Sequence, residues 1–160
     1  MSQFVVAETK VTCLEDILAA FEEIGISREH IEIYEVPVAL NGYGGSQGRA
    51  AEVIVRKQHV GATYGDVGAT KFDEEGNKGK YYQFIVDDYD CRGTGENCSG
   101  YIDRRWGTTR GGFVNHLAGR AGVIAAEKKL RRRGFKTKRI NKKNEAGVLG
   151  GVQLVANRSN

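Results

Sequence analysis

Between residues 128 and 143 the chain has no acidic side chain, although ten of these sixteen residues are lysine or arginine. The imbalance is local, because residues 1–127 hold 13 basic and 19 acidic side chains and residues 144–160 hold one of each. We call residues 128–143 the basic edge. Clustered positive charge beside an acidic body attracts phosphate backbones or acidic protein surfaces. The charge pattern therefore predicts an anionic partner without naming it.

Proline, cysteine and long apolar runs are also scarce. One proline and three cysteines in 160 residues do not suit a secreted disulfide scaffold, and an odd cysteine number favours a reducing compartment. No apolar run approaches the roughly 18 residues of a membrane helix, and the first residues lack the basic start of a signal peptide. We therefore expect a soluble, cytoplasmic single domain over 1–160 that does not contact membranes.

The apolar pattern predicts two helices. Apolar residues recur at helical spacing over 14–24 and over 113–130, and each stretch is followed by a glycine, which commonly ends a helix. For the first helix that glycine is Gly25. Thr12 and Glu15 match a capping box, in which two side chains satisfy free amides of the first turn. The sequence therefore places the start of this helix next to Thr12.

The remaining apolar residues follow a strand pattern. Segments of this kind, bounded by turn residues, predict strands over 4–11, 31–36, 51–56, 67–72, 81–86, 135–141 and 150–156. We expect an α+β fold, with an antiparallel meander of about six or seven strands and both helices packed on one face.

Nine residues of the basic edge are candidates for binding anions: Lys128, Arg131, Arg132, Arg133, Lys136, Lys138, Arg139, Lys142 and Lys143. In the alternative, the three arginines complement the negative end of a helix dipole and the lysines form a solvated strand face. That alternative does not account for the positive charges beyond the three arginines, which repel one another and have no counter-charge. The spacing along a helix end and a strand suits several phosphates but carries no code for reading bases.

A second candidate lies in the irregular, glycine-rich segment 89–112, because loops this long in a compact domain are usually functional or mobile. Its candidate residues are Tyr101, Arg104, Arg105, Trp106 and Arg110. A tryptophan beside arginines can stack a base and hold a phosphate. In the alternative, Trp106 anchors the loop in the core while the arginines face water.

The glycine-rich segment 42–49 invites comparison with a phosphate-binding loop. It lacks the Gly-Lys-Ser/Thr ending of a Walker loop, and a strand rather than a helix follows it. Without a helix N-terminus, its amides gain nothing from a helix dipole. We predict a hairpin or a wide turn here.

No catalytic or metal site emerges. The carboxylates that could hold Mg²⁺ in a phosphodiesterase are Asp66, Asp87, Asp88 and Asp90. Acidic turns after strands are far commoner, and no general base can be assigned. Cys91 and Cys98 lie outside the usual zinc spacing, and the three histidines (His30, His59 and His116) are isolated from one another in sequence. We expect no enzymatic activity, no metal and no cofactor.

Several short motifs occur together in the order seen in one known family. They are Met1-Ser2-x-Phe4, a Thr-x-x-x-x-Leu pattern running into Leu18 and Gly25, Gly42-Tyr43-x-Gly45, Asp66-Val67-Gly68, and Phe113-x-x-x-Leu117-x-x-Arg120 leading to Leu130-x-x-x-Gly134-Phe135. The chain resembles the proteins like hypothetical chloroplast reading frame thirty-five, found in cyanobacteria, algal plastids, other bacteria and phages. It departs from them at Ala121, where they usually carry an aromatic, and in the longer 89–112 loop.

The resemblance implies an α+β fold and no established activity. For bacterial members it also implies a neighbouring ATPase of the AAA class, and hence an adaptor role. Residue chemistry and resemblance together leave two hypotheses. The first is a non-enzymatic protein that binds nucleic acid or an anionic nucleotide. The second is an adaptor or assembly subunit that docks an acidic protein partner, such as that ATPase, or a second copy of itself.

Overall fold

The computed structural model describes residues 4–42, 45, 48–91, 112–143 and 149–158. Over these ranges seven strands are β1 (Phe4–Glu8), β2 (Ile31–Ala39), β3 (Ala50–Val55), β4 (Val67–Phe72), β5 (Lys78–Asp87), β6 (Phe135–Lys143) and β7 (Leu149–Arg158). The helices are α1 (Leu14–Glu23), α2 (Lys57–Val60), α3 (Asp88–Cys91) and α4 (Gly112–Arg132), with a 3-10 turn at Arg28–His30. The predicted α+β class is confirmed. No helix in these ranges is long and apolar enough to cross a membrane.

The strands form two antiparallel sheets. Strands β2 to β5 follow one another as a meander, and β1 joins beside β5, which gives the order β1-β5-β4-β3-β2. The register of β1 against β5 runs from Phe4 opposite Asp87 to Glu8 opposite Gln83. Strands β6 and β7 pair only with each other within the described residues. The closing hairpin is therefore a separate two-stranded sheet.

Helices α1 and α4 pack on one face of the five-stranded sheet, as the sequence predicts. Phe21 of α1 meets Phe84 of β5 edge to face, with ring centroids 5.6 Å apart. Phe113 and Leu117 of α4 are fully buried in the same cluster. Burying each such side chain contributes about 1.5–3 kcal/mol to folding. This shared core fixes α4 to the sheet, and with it the start of the basic edge.

A smaller cluster covers the opposite face of the sheet. Its buried members are Phe4, Leu40, Ala51, Ile54 and Ile85. Ile85 lies between two residues of β5 that belong to the main core, and alternate strand residues point to opposite faces. The central strands are therefore buried on both sides.

The structure contradicts the sequence prediction at the start of α1 and confirms it at the end of α1. At the start, the residue that precedes the helix is Cys13, and no side chain caps the first turn. The predicted capping box of Thr12 and Glu15 is therefore wrong. The hydroxyl of Thr9 is the one that engages the backbone here, because it accepts a hydrogen bond from the Val11 amide at 3.0 Å.

The end of α1 matches the prediction. Gly25 has a φ of 101°, a conformation that favours glycine. Its N–H donates to the Glu22 carbonyl at 3.0 Å, and the Ile26 N–H donates to the Phe21 carbonyl at 3.1 Å. These two bonds form a Schellman motif, which satisfies carbonyls that the helix end leaves free.

The segment between β2 and β3 connects two strands that pair antiparallel, with Ala39 opposite Ala50, as a hairpin or a wide turn would. The Leu40 N–H donates to the Arg49 carbonyl at 3.0 Å and closes the turn at its base. Strand β3 follows directly at Ala50. The backbone therefore makes a strand-to-strand connection here, without the helix N-terminus that a phosphate loop uses.

Candidate functional site

The basic edge joins the end of α4 directly to β6. The Arg133 N–H donates to the Leu130 carbonyl, and the Gly134 N–H donates to the Arg131 carbonyl, both at 3.0 Å. Strand β6 then begins at Phe135. The arginines at the helix end lie where the helix dipole is negative, which stabilises each positive charge by some tenths of a kcal/mol. Helix end and strand thus form one continuous basic surface.

Strand alternation divides the charges of β6 between two faces. Lys136, Lys138 and Ile140 are exposed, whereas Thr137 and Arg139 are half-buried. This is the period of two that a strand imposes. One face of β6 therefore presents lysines to solvent, and the other turns an arginine towards the helices.

Arg139 links three elements of the fold. Its Nε and Nη2 donate to the two oxygens of Glu127 in α4 at 2.6 and 2.7 Å, and its Nη1 donates to Glu23 in α1 at 2.5 Å. The Glu127 side chain is only 9% exposed. Arg120 lies 3.9 Å from the other Glu23 oxygen. The guanidinium therefore ties the closing hairpin to both helices.

The charges of this link shift one another's ionisation. Hydrogen bonds from Arg139 hold the pKa of Glu127 below its usual value of 4.5, although burial acts in the opposite direction. Hydrogen bonds to Glu127 raise the pKa of Arg139 above its usual value. Both groups are charged at neutral pH. Arg139 therefore has its counter-charges inside the protein.

Lys128 is neutralised in the same way. Its ammonium forms an ion pair with Asp16 of α1, whose side chain is 7% exposed. The hydrogen bond to Asp16 raises the pKa of Lys128 above 10.5. This pair joins α4 to α1 across the helix interface. Sequence reasoning assigned no role to Asp16, Glu23 or Glu127, because they are distant from β6 along the chain or look like ordinary helix-surface acids.

Four of the candidate cations of the basic edge have neither a carboxylate partner nor a side-chain hydrogen bond among the described residues. They are Arg132, Arg133, Lys136 and Lys138, which we call the four exposed cations, and all four are exposed. Arg131 is also exposed and donates from its Nε to the Thr137 hydroxyl at 3.2 Å. The backbone of Lys142 and Lys143 continues β6, opposite Gly151 and Leu149. The structure thus separates cations that hold the fold together from cations that face solvent.

The second predicted site cannot be placed. Its residues, Tyr101, Arg104, Arg105, Trp106 and Arg110, lie outside the described residues. Stacking by Trp106 therefore stays a prediction.

The acidic strand ends hold loops in place. Asp66, at 1% exposure, accepts hydrogen bonds from the backbone amides of Asn41 and Lys57 and from Arg56 Nη1, each at 2.9 Å. Asp90 is fully buried and accepts from the three successive amides 63–65 at 2.8–3.2 Å. Among the described residues, no group of three or more His, Cys, Asp or Glu could hold a metal ion. Two of the four carboxylates considered for Mg²⁺, Asp66 and Asp90, thus have structural partners.

Two of the three histidines are not isolated in space. The rings of His30 and His59 stack with centroids 3.9 Å apart and planes 10° apart. His30 Nε2 also lies 3.7 Å from a Glu29 oxygen. The isolation of the histidines along the sequence therefore does not extend to space for this pair, because the 3-10 turn and α2 bring together residues that are far apart in sequence.

Comparison of the chain with protein-family models, with curated proteins and with solved structures found no match. The resemblance to the chloroplast reading frame family stays a prediction.

Proposed function

We propose that this chain is a non-enzymatic binding protein that holds the phosphate backbone of a nucleic acid on its basic edge. One observation carries the proposal: the four exposed cations lie together at a helix end and on one strand face, without carboxylate partners in the described part of the chain. Elsewhere on the same edge, Lys128 and Arg139 have such partners. Acidic residues are thus used where a cation stabilises the fold and are absent where it faces solvent.

Electrostatics supports an anionic ligand for this surface. Like charges on neighbouring turns and alternate strand positions repel one another, and phosphates relieve that repulsion. The cations follow a helix end and an extended strand, so they suit phosphates spaced along a chain better than one compact anion. Backbone contacts of this kind position a nucleic acid without reading its sequence.

We also propose that the protein is located in a reducing compartment such as the cytoplasm. Cys13 is an exposed free thiol, which suits a compartment where thiols stay reduced.

The test is a titration of labelled oligonucleotides, followed by fluorescence anisotropy at several salt concentrations. Each phosphate that the protein neutralises contributes about 0.9 to the log–log salt slope on duplex DNA, or about 0.7 on single strands. Replacing the four exposed cations by glutamine should flatten the slope by up to about 3.6 units on duplex DNA, or about 2.8 on single strands, and weaken all sequences alike.

A single-site comparison sharpens this test. Lys57 and Lys138 are both exposed lysines, and Lys57 belongs to α2 and not to the basic edge. Lys138→Gln should reduce affinity and slope, whereas Lys57→Gln should leave both near wild type. Negligible binding of every oligonucleotide by the wild type at low salt would overturn the proposal, and so would an unchanged slope in the fourfold variant.

A second function, docking a protein partner as an adaptor, is favoured by the edge of the main sheet. Strand β2 pairs only with β3 among the described strands and exposes Ile33 at 45% and Val36 at 69%. An open strand edge with apolar side chains can pair with another chain. A second copy of this protein would be the occupant of this strand edge, whereas an acidic partner, such as an AAA-class ATPase, would dock on the basic edge.

Light scattering after size exclusion, at low and high salt, tests this second function. A dimer that Val36→Lys converts to monomer would support self-association through β2. A wild-type monomer at every salt concentration would exclude self-association, and a protein that co-purifies in place of nucleic acid would favour the adaptor over the binding protein.

A further inference from the structure

A groove lies where β5 extends beyond β1. Pairing of β1 with β5 stops at Glu8 and Gln83, so the residues of β5 before Tyr82 continue past the end of β1. The Thr9 hydroxyl donates to the Tyr82 carbonyl at 2.5 Å, and the Tyr82 N–H donates to the Val11 carbonyl at 2.8 Å. These bonds hold the departing chain against β5. A groove of about 320 Å³ is left beside them, which we call the Tyr81 groove.

Four lysines from three segments converge on the Tyr81 groove. They are Lys10 after β1, Lys71 in β4, and Lys78 and Lys80 in β5. None of them forms an ion pair with a carboxylate of the described residues. The groove thus collects positive charge from places that are distant in sequence.

Two carboxylates also line the groove, but they do not balance the lysines. They are Glu8 and Asp73. The Asp73 carboxylate accepts hydrogen bonds from the amides of Glu75 and Asn77 at 2.9 and 2.8 Å, which form the turn between β4 and β5. The lining keeps an excess of positive charge.

An exposed aromatic ring lies among these lysines. Tyr81 is 38% exposed, and the ammonium groups of Lys10 and Lys80 lie 4.9 and 5.5 Å from its ring centroid. The Lys71 ammonium lies 4.8 Å from the centroid of Tyr82. A cation over an exposed ring is held weakly. A stacked base can displace it, and the released ammonium is then close to the phosphate attached to that base.

We infer that the Tyr81 groove is a second binding site, which takes one nucleotide of a single-stranded nucleic acid. The base stacks on Tyr81, and Lys10 and Lys80 pair with its flanking phosphates. Only an unpaired base has a free face for such stacking, since the bases of a duplex stack on each other. The inference rests on the proposed function and narrows its ligand from nucleic acid in general to single strands.

The order of residues in β5 carries a signal for this site. The segment Lys78-Gly79-Lys80-Tyr81-Tyr82 interleaves lysines with aromatic residues, a composition that suits stacking beside phosphates. Sequence reasoning assigned only Tyr81 and Tyr82 of this segment, as the start of a strand, because Lys10 and Lys71 join it through the fold alone.

The test uses the full chain and a labelled single-stranded oligonucleotide, with a duplex of the same sequence in parallel. Tyr81→Ala should weaken single-strand binding by about 5- to 150-fold, the effect of losing one stacked base, and leave the salt slope nearly unchanged. Tyr81→Phe keeps the ring and should bind like wild type. Duplex binding should be the same in all three proteins.

Direct contact is tested by photocrosslinking. An oligonucleotide with 5-iodouracil at each position in turn is irradiated on the protein, and the crosslinked peptide is identified by mass spectrometry. The expected peptide contains Tyr81. Far-UV circular dichroism checks that Tyr81→Ala is folded. If Tyr81→Ala is unfolded, the crosslinking is repeated with Tyr81→Phe, which keeps the ring. Loss of the crosslink in Tyr81→Phe would also contradict stacking on the ring.

The outcomes separate this inference from the proposed function. If Tyr81→Ala binds single strands like wild type, or if no crosslink maps to the peptide that contains Tyr81, the inference is overturned. The proposed function still stands in that case if the fourfold variant of the exposed cations flattens the salt slope. If the wild type binds no nucleic acid, the proposed function fails and this inference fails with it.

Discussion

Arg139 offers the sharpest test of how this fold uses its basic edge. Its guanidinium holds both oxygens of Glu127 and one oxygen of Glu23, with side-chain exposures of 23% for Arg139 and 9% for Glu127. An exposed ion pair contributes about 0–1 kcal/mol, whereas removing one partner of a buried pair costs about 3–5 kcal/mol. Because this link is only partly exposed, Arg139→Met should lower the free energy of unfolding by about 2–3 kcal/mol.

The assay is urea unfolding followed by far-UV circular dichroism at pH 7. For a domain of this size, the expected loss corresponds to a fall in Tm of about 5–10 °C. Arg139→Lys keeps the charge but not the planar fork, so it should lose less. Combining Arg139→Met with Glu127→Gln gives a double-mutant cycle, in which the second change should cost little once the first is made.

Acid adds a second readout of the same link. Because the folded pKa of Glu127 lies below 4.5, its contribution to stability is present above pH 4.5 and is lost as the pH falls through the folded pKa. The wild type should therefore lose unfolding free energy below pH 4.5 more steeply than Arg139→Met does. A loss under about 0.5 kcal/mol at pH 7, within the range of ordinary surface substitutions, would refute the reasoning, as would additive effects in the cycle.

Three further predictions concern the fold. Asp90→Ala should lower the free energy of unfolding by about 2–4 kcal/mol in urea, because three backbone amides lose a buried acceptor; Asp90→Asn, which keeps one oxygen acceptor, should lose less. Gly68→Ala should cost about 1–3 kcal/mol, because its Cβ would lie 2.8 Å from the Ala51 Cβ, and adding Ala51→Gly should restore part of the loss. Burial and then Arg120 lower the pKa of His116 below 6.5, so the unfolding free energy should fall as the pH drops below 6.5, and His116→Gln should flatten that fall.

Local signals in the sequence predict much of this fold. Period and glycine placement locate α1, α4 and the end of α1 at Gly25, because these features depend on neighbouring residues. The partner of β1 depends instead on contacts across some eighty positions, so no local pattern assigns it to β5. The capping box fails for a similar reason: Val11, at 1% exposure, is buried in the core next to Thr12, and the backbone enters the helix at Cys13 without a side-chain cap.

The sequence predicts where the basic residues of the candidate site cluster, but not which of them stabilise the fold and which face solvent. Composition alone identifies residues 128–143, and the period of two of a strand assigns Lys138 and Arg139 to opposite faces of β6. Whether Lys138 or Arg139 points towards the helices depends on where α4 lies relative to the closing hairpin. Glu127 and Glu23 decide it, because each supplies a carboxylate where Arg139 arrives.

Neighbouring cations of the same strand thus perform opposite tasks, and this changes how the basic edge has to be dissected. Neutralising Arg139 together with the lysines of β6 would leave Glu127 with a buried charge and loosen the hairpin, so any loss of ligand binding would mix lost contacts with lost structure. Neutralising Lys136 and Lys138 removes only exposed charge. A change in salt slope without a change in unfolding free energy would then report on the ligand alone, and the opposite pattern at Arg139 would report on the fold.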